Sequence, residues 1–229
     1  MSLLELNLDP FAVMQSQMQV SGVDPVIVAG IAEIAGTDSV SITSREGESR
    51  HARLILETTN TRFNWHVPIT EKGIESVMTH PPDMVTFIDP HRDGDCMDLR
   101  GAGDLKKIFA QVRPVKSMAV SVRIAAEVKQ LKRAYKLGAD YVEVNSWPYV
   151  NAKTHEERLE ELEKISGVAR IAHKYEIGVI VSGGLNYQNF RDITSLESIE
   201  TIAVGRAILG KASFIGLENA LRDFIFLIK

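Results

Sequence analysis

The sequence predicts a closed (β/α)8 barrel, and three observations carry that expectation. Short apolar runs rich in Val and Ile recur along the chain, stretches of helical periodicity lie between them, and the last two runs end in glycine, at Gly183-Gly184 and at Gly205. Strand-then-helix repetition is the rhythm of a parallel sheet whose strands are buried on both faces. Eight such units are enough to close it. The chain has 229 residues, 45% of them hydrophobic, which suits one well-buried domain over residues 1–229.

In chain order, the first run is Leu3–Asp9, followed by a helical segment at Asp24–Ala35. Gly36-Thr37-Asp38 then reads as a helix C-terminal glycine leading into the second run, Ser39–Thr43. The third and fourth are Arg62–Val67 and Met84–Asp89, and Pro90–Asp104, crowded with Asp, Arg and Gly, reads as a long loop. Met118–Arg123 is the fifth, with a helix at Ala125–Leu137 and a second glycine exit at Gly138-Ala139-Asp140. Tyr141–Asn145 is the sixth. Thr154 caps a long helix to Lys174, with Glu156 and Glu157 in its first turn. Gly178–Ser182 and Thr201–Val204 complete the eight, and Gly216–Ile228 is the closing helix. There Phe224, Phe226 and Leu227 serve packing or an interface, and the i, i+3 spacing favours packing.

Charge and cysteine content exclude several classes. The formal net charge is −4, so no broad basic surface exists and a nucleic-acid partner is disfavoured. The single cysteine, Cys96, permits no intrachain disulfide and no cysteine zinc cluster, which fits a reducing cytoplasm. The N-terminus lacks a charged segment followed by a long apolar core, and no run approaches the ~18 apolar residues of a membrane span. A soluble cytoplasmic protein is expected.

Chemistry in a barrel of this kind sits at the C-terminal strand ends. The polar residues there are Asn7 and Asp9, Thr43 to Glu46, Asn64 and His66, Asp89 and His91, Arg123, and Glu143 with Asn145. The i, i+2 spacing of Glu143 and Asn145 aims both side chains into the barrel. A buried carboxylate needs a partner, which Arg45, Arg123 or Arg206 can supply, and Glu143 is then a candidate general acid or base. His66 is either a proton carrier or a neutral histidine bonded within the barrel mouth. His51, after Arg50, is either a substrate clamp or part of a solvated helix start. His80, His155 and His173 read as surface. Asp89, His91, Asp93, Asp95 and Asp98 offer oxygen ligands, but their spacing matches no cation loop, so no metal is expected. The acidic run Glu156–Glu163 is a solvated helix face. Ser182, Gly183, Gly184, Gly205 and Arg206 form the predicted phosphate site: glycine lets backbone N–H groups approach the anion, and Arg206 adds a planar fork.

These residues also carry a family resemblance. Asp24-Pro25-Val26, Ala32 to Asp38, Arg45-Glu46 with Arg50-His51, Asn64 before Thr70-Glu71, Tyr141 to Val144, Ala152-Lys153-Thr154, Gly183-Gly184-Leu185-Asn186-Tyr187, and Gly205 with Ala207-Ile208 fall in order along nearly the whole chain. The chain resembles the pyridoxine 5′-phosphate synthase family. That resemblance implies a cofactor-free barrel that condenses 3-amino-2-oxopropyl phosphate with 1-deoxy-D-xylulose 5-phosphate, and a homo-oligomer, an octamer. Asn7 and Asp9 keep the family's Asn-x-Asp pattern and are expected to bind substrate. If the family reaction is kept with a rearranged site, Glu143 is the general acid or base, His66 takes over a proton shuttle, Arg45 and His51 clamp one substrate phosphate, and Gly183, Gly184, Gly205 and Arg206 hold the other.

Several positions depart from the family's pattern. Pro10 and Thr43 stand where the family has histidines, His66 where it has a glutamate, and Asn145-Ser146-Trp147 where it has His-Thr-Gly. Gly183-Gly184 lacks the histidine the family places between its glycines, and Arg206 replaces another histidine. Each positioned proton carrier is worth roughly 10²–10⁴-fold, so these changes bear on the ring-forming reaction more than on phosphate binding. Three functions follow: the family reaction with a rearranged site, a different lyase, isomerase or aldolase acting on one phosphorylated sugar or ketone, and a non-catalytic phosphometabolite-binding protein.

Overall fold

A computed structural model describes residues 2–19, 21–45, 49–100, 103–115 and 117–228. Eight strands run β1 (Leu3–Asn7), β2 (Ser39–Thr43), β3 (Arg62–Pro68), β4 (Met84–Ile88), β5 (Ala119–Ile124), β6 (Tyr141–Asn145), β7 (Gly178–Ser182) and β8 (Thr201–Val204). Each pairs in parallel with the next, and β1 pairs with β8 from Leu3↔Thr201 to Leu6↔Val204, which closes the barrel. The helices among the described residues are α1 (Asp9–Met18), α2 (Pro25–Ala35), α3 (Arg50–Thr58), α4 (Glu71–Thr79), α5 (Gly103–Val112), α6 (Val128–Leu137), α7 (Trp147–Val150), α8 (His155–Lys174), α9 (Phe190–Thr194), α10 (Arg206–Ile215) and α11 (Leu217–Ile228). The (β/α)8 expectation is met. Among the described residues, no helix is long and apolar enough to cross a membrane.

The two faces of the strands have opposite chemistry. Leu4, Leu6, Val40, Ile42, Phe63, Trp65, Val85, Phe87, Val142, Val144 and Val181 belong to the main buried cluster with the helices, and at about 1.5–3 kcal/mol per buried large side chain this outer layer dominates stability. Their neighbours Glu5, Ser41, Asn64, His66, Thr86, Ser121, Glu143 and Ser182 are buried too, but they are polar and turn inward. A separate apolar plug of Met84, Ile180 and Ala203 lies inside the barrel.

Helix ends follow the local chemistry. The Asp24 carboxylate accepts from Val26 N, and Thr154 with Glu157 forms a full capping box on α8. Gly36 and Gly138 each donate the backbone N–H to two helix-end carbonyls, matching the paired glycine exits expected from sequence. Three expectations need correction. The first strand ends at Asn7, because Asp9 opens α1 with Pro10 in its first turn, where a missing N–H costs nothing. The 90–104 stretch is a loop only in part, with a 3₁₀ turn at Asp93–Asp95 and α5 beginning at Gly103. Phe224 is fully buried, whereas Phe226 is 82% exposed and Leu227 partly so, since α11 presents only one stripe to the barrel.

Candidate active site

The inward side chains build a charged cluster at mid-barrel. Glu143 Oε1 accepts from Arg123 Nη1 at 2.9 Å and from Ser182 Oγ at 2.5 Å, while Glu143 Oε2 lies 3.1 Å from His66 Nε2. That last contact is an ion-pair distance without hydrogen-bond alignment. Burial alone opposes ionisation of Glu143, but His66, Arg123 and the Ser182 hydroxyl outweigh it and hold the carboxyl well below the usual range. Burial likewise penalises the His66 imidazolium, yet the Glu143 charge, with Glu5 and Asp9 behind it, raises His66 above its ordinary value. Both shifts favour the ion-pair form, an imidazolium against a carboxylate. Below it, Glu5 accepts from Asn64 Nδ2 at 3.1 Å, and Asn64 Oδ1 accepts from Thr86 Oγ1 at 2.8 Å. Burial, reinforced by the Glu143 charge, pushes the Glu5 carboxyl upward.

A cavity of about 1070 Å³ opens above this cluster at the C-terminal strand ends. Its floor is polar, made by Asn7, Asp9, Arg123 and Ser182. Asp9 is held by Thr43, whose backbone N–H and hydroxyl both donate to it at 2.7 Å. One wall is Gly183 and Gly184 with Gly205 and Arg206 at the start of α10. Gly183 has φ of 106°, and a Cβ there would lie 2.6 Å from Asn145 Oδ1. A Cβ on Gly205 would meet the Asn7 carbonyl oxygen at 2.6 Å. Gly205 caps α10 without a side chain, so the helix N-terminus opens into the cavity with its first N–H groups unclaimed by a cap. The Arg206 guanidinium stacks over the Trp147 ring at 4.6 Å and, among the described residues, has no carboxylate partner.

The structure gathers most of the residues expected from sequence. Asn7, Asp9, Arg45, Ser182, Gly183, Gly184, Gly205 and Arg206 all line the cavity. Arg45 sits at its mouth in a bidentate pair with Asp95, both bonds 3.0 Å. Glu143 and His66 lie just beneath the floor, fully buried, and reach the cavity only through Ser182 and Arg123. His51 is placed elsewhere: it is in the first turn of α3, near the Asp24 cap of α2, and does not line the cavity. Of the three arginines considered for Glu143, Arg123 is the partner. Asp89, Asp95 and Asp98 are each tied to an arginine, and among the described residues no group of three or more His, Cys, Asp or Glu side chains is arranged to hold a metal ion. Sequence reasoning missed Glu5, although its i, i+2 relation to Asn7 is the same signal that exposed Glu143. It also missed the Trp147–Arg206 stack, which joins two loops that no local pattern connects.

A closed parallel barrel with its ionisable groups and a helix N-terminus collected at the C-terminal strand ends defines a TIM barrel with its site at the C-terminal face. Solved structures agree on the fold: a 4-hydroxy-2-oxoglutarate aldolase superposes with TM-score 0.61 at 12% identity over 99% of this chain and 94% of its own. A mandelate oxidase gives TM-score 0.60 at 17% identity over 89% of this chain, which spans 65% of that protein. A family model described as "Pyridoxal phosphate biosynthesis protein PdxJ" matches residues 4–229, and this chain belongs to that family. It is 33% identical to a pyridoxine 5′-phosphate synthase of Geotalea daltonii over 100% of this chain and 99% of that one. It is also 31% identical to one of Photobacterium profundum over 96% and 94%.

Proposed function

We propose that this chain binds a small phosphate ester at the top of the barrel and that the substrates of its synthase relatives are the first candidates. The observation that carries this reading is the convergence on one cavity of the uncapped α10 N-terminus, the Gly183–Gly184 turn and Arg206, which has no carboxylate partner among the described residues. Backbone N–H groups and a helix dipole favour an anion, and the guanidinium supplies the charge and fork that a phosphate accepts. Asn7, Asp9, Arg123 and Ser182 then face the remainder of the molecule. Glu143 and His66 act as positioning residues: the carboxylate fixes the Ser182 hydroxyl and the Arg123 fork, and His66 keeps it ionised. Arg123 is thus aimed where negative charge develops on a carbonyl oxygen, and Asp9 is the floor's proton acceptor.

A second reading, proton transfer on a single phosphorylated ketone, draws on one further observation. Pro10 and Trp147 line the cavity at positions where the resemblance expects ionisable or small residues, so few groups there can shuttle protons. Calorimetry with 1-deoxy-D-xylulose 5-phosphate, 3-amino-2-oxopropyl phosphate and pyridoxine 5′-phosphate tests the binding claim. We expect binding of at least one, weakened tenfold or more in Arg206→Ala; silence from all of them overturns the proposal. Formation of pyridoxine phosphate from the two substrates supports the family reaction, and solvent-proton exchange into one bound ketone without it supports the second. Binding with neither marks a non-catalytic phosphometabolite-binding protein.

A further inference from the structure

We infer, building on the phosphate-ester reading, that the ligand carries a single phosphate on an apolar body, and that α1 is the wall that receives that body. Pro10, Val13, Met14, Gln17 and Met18 line the cavity, and their spacing of three and four places them on one helix face. Phe11 is the side chain of α1 that is buried in the core. Val13 and Met18 are left 50% and 64% exposed, so this apolar face lacks a partner within the chain and looks onto the cavity instead. Across from it stand Trp147, Val150 and Leu185. The unbranched, polarisable methionines are suited to moulding around an apolar ligand.

Charge on the cavity wall limits the ligand to one phosphate. Among the described residues, Arg45, Arg123 and Arg206 are the lining cations, and Asp9 and Asp95 the lining anions. Arg45 is committed to Asp95 and Arg123 to Glu143, which leaves Arg206, beside the helix N-terminus, as the lining cation with no carboxylate partner among the described residues. From Pro10 to Met18, no cavity-facing residue of α1 carries a charge, so a second phosphate on that side would be desolvated without compensation. The volume, about 1070 Å³, is slightly above the ~300–1,000 Å³ typical of drug-sized ligand pockets, which leaves room for a body beyond the phosphate.

Three probes of matched anionic head and different body provide the test: benzyl phosphate, glycerol 3-phosphate and inorganic phosphate, titrated by calorimetry into the whole chain, Arg206→Ala, Met14→Gln and Met18→Gln. We expect benzyl phosphate to bind about tenfold or more tighter than glycerol 3-phosphate, the discrimination a buried apolar group supplies. The methionine variants should erase most of that preference while leaving glycerol 3-phosphate affinity within about twofold, and Arg206→Ala should weaken both esters. Equal affinity for the two esters, or a preference for the glycerol ester, overturns the apolar-wall inference while the phosphate site stands. Failure of all three probes to bind overturns the phosphate reading itself. Because Met18 is solvent-exposed, its replacement leaves folding intact, and an unchanged benzyl preference in Met18→Gln and Met14→Gln together counts against α1 as the receiving wall.

Discussion

Replacing Glu143 with glutamine removes one charge from the centre of the barrel and almost nothing of its shape. The amide oxygen still accepts from Ser182, but Arg123 loses its carboxylate while its Nε is already buried without a partner. His66 loses the largest influence that raises it, which leaves burial to favour its neutral form. Breaking one side of a buried pair costs about 3–5 kcal/mol, and at ~2–4 °C per kcal/mol for a chain of this size the melting temperature should fall by roughly 6–20 °C. The pH dependence carries the sharper signature. His66 has a raised folded-state value, so its contribution is fully present below the unfolded value near 6.5 and is lost as pH rises through the folded one. Glu143 has a depressed value, so its contribution is present above about 4.5 and is lost as pH falls toward about 2. Wild-type stability should therefore plateau between these two limbs, and Glu143→Gln should flatten both. Melting curves from pH 3 to 9, with the His66 ring proton followed by NMR, decide the matter. A variant melting within about 2 °C of wild type at pH 6, or a wild-type His66 titrating at or below 6.5, refutes the coupled ion pair.

Three further outcomes are expected. Gly205→Ala drives a Cβ against the Asn7 carbonyl and should cost about 1–3 kcal/mol and most phosphate affinity, whereas Gly210→Ala, also on α10 with nothing within 4 Å, should gain about 0.5–1 kcal/mol; paired thermal melts and phosphate titrations compare them. Thr154→Ala dismantles the capping box of α8 and should cost about 1 kcal/mol in urea unfolding, with ligand affinity unchanged because α8 does not reach the cavity. Asp95→Asn frees Arg45 at the cavity mouth. The half-exposed pair contributes under about 1 kcal/mol to stability, but inorganic phosphate should bind more tightly at low salt, and the gain should vanish near 1 M salt, where the Debye length is about 3 Å.

How much of this was legible follows from what each signal depends on. Strand positions were readable from short buried, β-branched stretches: β7 shows as the run Val179-Ile180-Val181, and β2 as Val40, Ile42 and Thr43 set between small serines. The glycine wall of the cavity was readable because Gly205 and Gly183 are demanded by close approaches that leave a glycine in the sequence. The depth of a side chain was not readable. Glu143 and Asn145 share a face, but that one sits under the floor against His66 while the other reaches the loops depends on strand stagger, which periodicity does not encode. Helix α1 was missed because its apolar face lines a cavity; without a partner in the core, its residues gave only a weak amphipathic pattern around Phe11.

The two-faced strands also explain how this family member keeps its fold while its site departs from the family's pattern. Stability resides in Leu4, Leu6, Val40, Ile42, Val142, Val144 and their outward-facing companions, which pack on the helices. The polar groups of the candidate site reside at inward positions and in the loops, such as His66, Thr43, Ser182 and Trp147, which contribute little to that outer layer. A change at an inward position is tolerated as long as polar groups keep partners, and here they do: His66 sits 3.1 Å from Glu143, Thr43 holds Asp9, and Trp147 stacks on Arg206. Each replacement is satisfied by another inward or loop residue, none by the outer layer. Interior substitutions should then be tolerated only when charge is compensated, and His66→Glu alone, which places a third carboxylate beside Glu143 and Glu5, should destabilise the barrel by setting like charges in a buried space. The same substitution combined with Glu143→Gln should recover much of the loss, and a double variant no more stable than His66→Glu would show that charge balance is not what holds the interior together.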